Sequence, residues 1–185
     1  MRNALLSALV PLAQQYAHIE ILDDSTNVTY FDNNVAAYFE GANVLVKIDP
    51  VPLPEDHLAE DDISGLLISA HFDSVSTGVG ATDDGMGTVT LLAIARFLAR
   101  HPLRRARVVL NLNNGEEDGL NGAMSFLVHP WAKLVDHFVN LEGSGAGGYV
   151  LTLESFLQVP SRLIGYTQAS HILPYDLQVR DRYRC

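Results

Sequence analysis

"GLLISAHFDSVSTGVGATDDGMGTVTLLAIARFLAR", residues 65–100, decides the fold. Its first six residues, Gly65 to Ala70, are an apolar run of the kind carried by a strand buried on both faces. The run stops at His71 and Asp73, and Asp83 and Asp84 follow inside a glycine-rich loop. A helix is then predicted from about Gly87 to Arg100. Leu91, Ile94, Ala95 and Leu98 fall at i, i+3, i+4 and i+7, on one face. Arg96 and Arg100 suit its C-terminal half, and Pro102 stops it.

The segments on either side repeat the alternation. "NVLVKI" (Asn43 to Ile48) and "ARVVLNL" (Ala106 to Leu112) read as strands by their β-branched content. "HFVNLEG" (His137 to Gly143) reads as another, and "GYVLTL" (Gly148 to Leu153) as one more. "LNGAMSFLVHP" (Leu120 to Pro130) reads as a short helix ended by proline. "DPVPLPEDHLAEDD", with three prolines and six acids, is an exposed loop. Strand, helix, strand, helix, strand predicts a layered α/β fold with a largely parallel sheet.

Composition bounds the function. The 185 residues are enough for one domain with a sizeable core. With 48% hydrophobic and 18% charged residues the chain is globular rather than disordered. A net charge of -10 argues against a nucleic-acid partner, which calls for a basic surface. It leaves room for cations. The single cysteine is Cys185, so no internal disulfide forms. No apolar stretch reaches the roughly 18 residues of a membrane span. In "MRNALLSALVPLA", Pro11 and the lack of a small-residue cleavage site favour an amphipathic first helix over a secretion signal. "NVT" at Asn27 to Thr29 is a glycosylation sequon, relevant only in the secretory pathway.

The chemistry-bearing residues sit where strands end. His71 and Asp73 close one strand, Glu116 and Glu117 follow the next in "NLNNGEEDG", and Glu142 ends a third in "NLEGSG". Open α/β sheets place their sites at the carboxyl ends of strands. Three strand ends would therefore gather His71, Glu116, Glu117 and Glu142, with Asp83 joining from the loop. Taken singly, each fragment reads blandly: a surface histidine, a solvated acidic loop, an Asp-Asp-Gly turn. Their joint placement after successive strands points to a metal. One imidazole with several carboxylates suits zinc, and manganese or cobalt could also use it. Acids crowded in a dry cleft repel unless a cation sits between them. In a Glu-Glu pair, one member can bind metal while the other handles a proton.

Together, "SAHFDSVSTGVGATDDGMG", "NLNNGEEDGLNGA", "HPW" and "NLEGSGAGG" resemble the zinc-dependent exopeptidases of the aminopeptidase Y and glutamate carboxypeptidase type. Within that family they are most similar to the fungal vacuolar membrane proteases. The resemblance runs from about Asn43 to Gly148. It implies a three-layer α/β/α fold with a mixed, mainly parallel central sheet, and peptide-bond hydrolysis with two zinc ions. By this resemblance His71 and Glu142 are ligands of the first zinc, Asp83 bridges both ions and Glu117 binds the second. Glu116 is the general base, and Asp73 orients the His71 imidazole. A cis peptide between Asp83 and Asp84 is also implied. The substrate is a peptide, and the location is the vacuolar membrane or lumen.

The departure lies downstream. The family's further histidine ligand sits in a segment resembling "YHT", and nothing after Gly148 matches it. His171, in "TQASHILPYDLQVRDRYRC", stands in a setting closer to a serine-histidine-proline stretch that binds no metal. The expectation is a single metallopeptidase-like catalytic domain over residues 1–185, with 149–185 divergent or truncated relative to the family. One tight zinc site and impaired activity follow from that. Two alternatives stand beside it. One is a catalytically impaired remnant acting only by binding. The other is a single-zinc acyltransferase of the glutaminyl cyclase kind.

Overall fold

Chain order in the computed structural model is α1 (Arg2–Gln15), β1 (Ile19–Asp24), β2 (Val28–Asp32), β3 (Val35–Phe39), β4 (Asn43–Ile48) and β5 (Ser64–His71). Then come α2 (Gly85–Arg100), β6 (Ala106–Asn113), α3 (Asn121–Val128), β7 (His137–Leu141), β8 (Leu151–Val159) and β9 (Arg162–Ser170). The structure describes residues 1–32, 35–143, 151–159 and 162–170. Seven strands form one sheet in the order β1-β4-β6-β5-β7-β9-β8, and β2 and β3 form a separate hairpin. The neighbours β6, β5, β7 and β9 pair in parallel. β4 and β8 run against them, and β1 runs against β4. Five of the seven strands thus point one way, which makes the sheet mixed and mainly parallel.

Alternation along β4, β5 and β6 feeds two cores. On one face Val44, Val46, Ile48, Val108, Leu110 and Leu112 pack with Leu5 and Leu9 of α1 and Leu91, Ala95 and Leu98 of α2. On the other, Leu45, Leu67 and Val109 pack with Phe126 of α3 and with Trp131 and Val135 just beyond it. Both faces are therefore covered, which is the three-layer α/β/α arrangement expected. Burying a side chain of this class is worth roughly 1.5–3 kcal/mol, so the layers are held mainly by these two clusters.

The elements read from the sequence are present with shifted ends. α2 begins at Gly85 rather than Gly87, because Asp84 caps it by accepting from the Gly87 N–H. The helix expected over Leu120 to Pro130 spans Asn121–Val128, and a 3-10 turn, Pro130–Leu134, continues past the proline. Proline suits the start of that turn, since its missing N–H would have no partner there. The strand expected over His137 to Gly143 ends at Leu141, so Glu142 and Gly143 have left the ladder. The last expected strand is longer, β8 running from Leu151 to Val159, and β9 pairs with it. Positions 148–150 and His171 lie outside the described residues. Among the described residues, no helix is long and apolar enough to cross a membrane.

Candidate metal centre

Parallel pairing fixes where the strand ends meet. His71 stands opposite Asn113 across β5 and β6, and Ser69 stands opposite Asn140 across β5 and β7. His71 therefore reaches the edge of the sheet level with the start of the Glu116–Glu117 loop on one side and beside Glu142 on the other. Asp83 arrives from the loop between β5 and α2. That loop must pass close to Gly143: a Cβ there would stand 1.7 Å from the Thr82 carbonyl oxygen. Only glycine permits this approach, and the approach brings Glu142 to Asp83.

His71 is 1% exposed. Its Nε2 lies 3.0 Å from Asp83 Oδ1 and 3.0 Å from Glu142 Oε1, and Glu116 Oε2 is 3.9 Å away. Two groups of possible ligand atoms share this imidazole, His71 with Asp83 and Glu142, and His71 with Glu116 and Glu117, each within 4.8 Å. A tetrahedral zinc with bonds of about 2.0–2.1 Å separates its donors by about 3.3 Å. The two distances from Nε2 would need to open by only a few tenths of an ångström, and one imidazole with two carboxylates is a donor set that zinc accepts.

The other side of the imidazole is held too. Nδ1 makes its short contact, 3.1 Å, with the main-chain carbonyl oxygen of Asp73, and the Asp73 carboxylate is 3.6 Å away. The orientation expected of the Asp73 carboxylate thus falls first to its own carbonyl. The carboxylate also accepts from the Glu117 N–H at 3.2 Å, tying the two loops together. Glu117 Oε1 in turn accepts from the Val75 N–H at 3.1 Å.

Charge in this cluster is strongly coupled. Burial works against a proton on His71, but the carboxylates of Asp73 and Glu142, with Glu116, outweigh it and lift its pKa from 6.5 to about 11. Asp83 is pushed up by burial and by its bond to Glu142. Glu142 is held down, against its own burial, by His71. Burial also raises Glu116; the His71 charge opposes this and Glu142 and Glu117 reinforce it. Asp73 stays low despite burial, through His71 and the N–H groups of Glu116 and Glu117. Crowded acids around one cation are the electrostatic form of a cation site.

Three supporting residues were given no role by sequence reasoning. Asp84, 1% exposed, is lifted to about 7 by burial and then by Glu142. It accepts from the His71 N–H at 3.3 Å. Its signal was available, an Asp directly ahead of a helix. Asn140 donates Nδ2–H to Glu142 Oε2 at 3.4 Å, and its one clue is a polar side chain inside "FVNL". Thr88 had no signal. The cis peptide between Asp83 and Asp84 is present. Asn27, the sequon residue, is exposed, with its Oδ1 accepting from the Gly41 N–H.

Residues 54–182 match the model of peptidase family M28. A vacuolar membrane protease of Schizophyllum commune is 44% identical over 172 residues, covering 92% of this chain and 18% of that protein. One of Schizosaccharomyces pombe is 44% identical over 159 residues, covering 84% and 18%. The chain thus spans less than a fifth of the length of these curated relatives. Among solved structures, Legionella pneumophila LapA aminopeptidase has a TM-score of 0.53 at 19% identity, covering 78% of this chain and 36% of that one. Porphyromonas gingivalis glutaminyl cyclase has a TM-score of 0.56 at 16% identity, covering 79% and 50%. At such identities both likenesses concern the fold.

Proposed function

The chain belongs to peptidase family M28, and on that premise we propose that it is a metallopeptidase-like catalytic domain of zinc-dependent exopeptidase type. The single observation that carries the reading is the convergence of His71, Asp83, Glu142 and the Glu116–Glu117 pair at the carboxyl ends of β5, β6 and β7. His71, Asp83 and Glu142 would hold one zinc. Glu117, with Asp83 as a shared carboxylate, would offer a weaker second position. When bound, zinc supplies a Lewis acid that polarises a scissile carbonyl and lowers the pKa of water.

The chain's own residues do the remaining work. Glu116 is the base: it takes the proton of the attacking water and delivers it to the leaving amine nitrogen. In the zinc-free chain burial raises its pKa, with His71 opposing and Glu142 and Glu117 reinforcing the shift. The Asp73 carbonyl fixes the His71 ring so that Nε2 faces Asp83 and Glu142. The substrate is a peptide, and the relatives' names support a place at the vacuolar membrane. The likeness to glutaminyl cyclase is one of fold and favours no acyl transfer.

The test compares the zinc-loaded chain with Glu116→Gln on short unblocked peptides, following products by mass spectrometry. Residues should leave stepwise from one terminus, and Glu116→Gln should slow this about 10²–10⁴-fold while keeping its zinc. Undiminished cleavage by Glu116→Gln would remove Glu116 from the role of base. Loss of zinc along with activity would exchange its role with that of Glu117.

A further inference from the structure

The pairing of β5 with β7 ends at Ser69 and Asn140. Two residues further on, at His71, the main-chain N–H and C=O again point toward the β7 side, as alternate residues of a strand do. Among the described residues, no strand meets them there. The first turn of α2 meets them instead. Asp84 Oδ2 accepts from the His71 N–H at 3.3 Å, and the Thr88 hydroxyl donates to the His71 carbonyl oxygen at 2.9 Å. Phe72 has already resumed the ladder on the other side, donating to the Asn113 carbonyl.

Thr88 is 3% exposed and does not do what a helical threonine commonly does. Such hydroxyls bond back to the carbonyl four residues earlier. Thr90, one turn face away, does so, donating to the Met86 carbonyl at 2.8 Å. Thr88 reaches out of its helix instead, across 17 residues of chain.

We propose that Thr88 is a positioning residue for the metal centre, holding the main-chain carbonyl of His71 so that the imidazole leaves the sheet at one fixed angle. His71 is then held at three points: its N–H by Asp84, its C=O by Thr88 and its Nδ1 by the Asp73 carbonyl. Nε2 alone is left to face Asp83 and Glu142. The proposal rests on the reading of His71 as a zinc ligand. A ligand whose main chain can rotate loses the arrangement in which all three donors meet one ion, so the hydroxyl should show in metal affinity and not only in packing.

The test measures zinc affinity by competition with a chelator in the full chain, together with thermal unfolding of the zinc-free chain. Thr88→Val keeps the shape and loses the hydroxyl; Thr88→Ser keeps the hydroxyl; Thr88→Cys offers a weak donor and serves if the valine variant does not fold. Thr88→Val should weaken zinc binding about 10–100-fold, Thr88→Cys less so, and Thr88→Ser should stay within about threefold of wild type. Thr90→Val should change nothing. Val135→Ala, in the core on the opposite face, controls for general loss of stability: it should lower the midpoint of unfolding and leave zinc affinity intact. Equal affinity across the Thr88 series would overturn the proposal, as would a Val135→Ala loss matching that of Thr88→Val. His71→Ala separates the two levels. If it binds zinc as wild type does, the reading of His71 as a ligand fails, and this proposal fails with it.

Discussion

Replacing Gly87 with alanine sets two effects against each other. In an ordinary helix interior the change stabilises by roughly 1 kcal/mol, because alanine loses less backbone entropy on folding. Here the added Cβ would stand 2.4 Å from both carboxylate oxygens of Asp84. That carboxylate caps α2 through the Gly87 N–H at 2.9 Å and holds the His71 N–H at 3.3 Å. It cannot swing aside without breaking both bonds. Losing the cap costs about 1 kcal/mol. Leaving a buried carboxylate and a buried N–H without partners costs about 1–3 kcal/mol more. After the propensity gain is subtracted, Gly87→Ala should destabilise the chain by about 1–3 kcal/mol. In a domain of this length each kcal/mol moves the midpoint by about 2–4 °C, so a fall of about 2–12 °C is expected. Thermal unfolding of the zinc-free chain, followed by circular dichroism, reads this directly. A midpoint at or above that of wild type would show that Asp84 is not pinned, and the reasoning about α2 and His71 would be wrong.

Further outcomes are expected of the same site. Gly143→Ala places a Cβ against main-chain atoms of Thr82 and Asp83, which cannot rotate away. The strand end must part from the loop, and zinc affinity should fall at least about 10-fold; unchanged affinity in the same chelator competition would contradict the close approach. Asp73→Ala removes the carboxylate near Nδ1 but leaves the carbonyl contact, so zinc binding should weaken about 10-fold rather than vanish. His71, with its pKa raised from 6.5 to about 11, carries a proton in the zinc-free chain at neutral pH. That proton stabilises the zinc-free fold fully below about pH 6.5 and ceases to do so as the pH rises through about 11. Zinc binding at pH 8 must therefore release about one proton. Calorimetry in buffers of different ionisation heat should show the release, and a buffer-independent heat would refute it.

Legibility followed the physics of each segment. β4, β5 and β6 were visible because central strands covered on both faces are rich in apolar and β-branched residues, as in "VLV" of β4, "GLLISA" of β5 and "VVL" of β6. α2 was visible through Leu91, Ala95 and Leu98, all buried on one face. β1 was not, because it is an edge strand. Its "IEILDD" is half polar, and Glu20 pairs with Lys47 of β4 rather than packing. The β2–β3 hairpin lies off the main sheet; "VAAYF" in β3 is an apolar run, but two of its five residues are alanine, which has little strand propensity, and "VTYFD" in β2 mixes polar with apolar residues. His71, Glu116, Glu117 and Glu142 could be placed at strand ends from the order of elements alone, with Asp83 in the loop that follows β5. The supports could not. The bonds from Asp84 and Thr88 to His71 depend on how the loop of residues 72–84 turns the helix back onto its own strand. The contact between Gly143 and Thr82 depends on two distant segments crossing.

The central claim, that His71, Asp83 and Glu142 form the firm zinc position, is tested most directly by counting metal. The chain and His71→Ala are loaded with zinc, dialysed against a weak chelator and analysed for zinc per chain. Three protein donors make an ordinary catalytic zinc site, whereas two carboxylates hold the ion weakly. Wild type should therefore keep about one zinc per chain, and His71→Ala should keep essentially none. Two firmly held ions in wild type would show a further ligand at work and direct attention to His171. Zinc retained by His71→Ala would contradict the account outright.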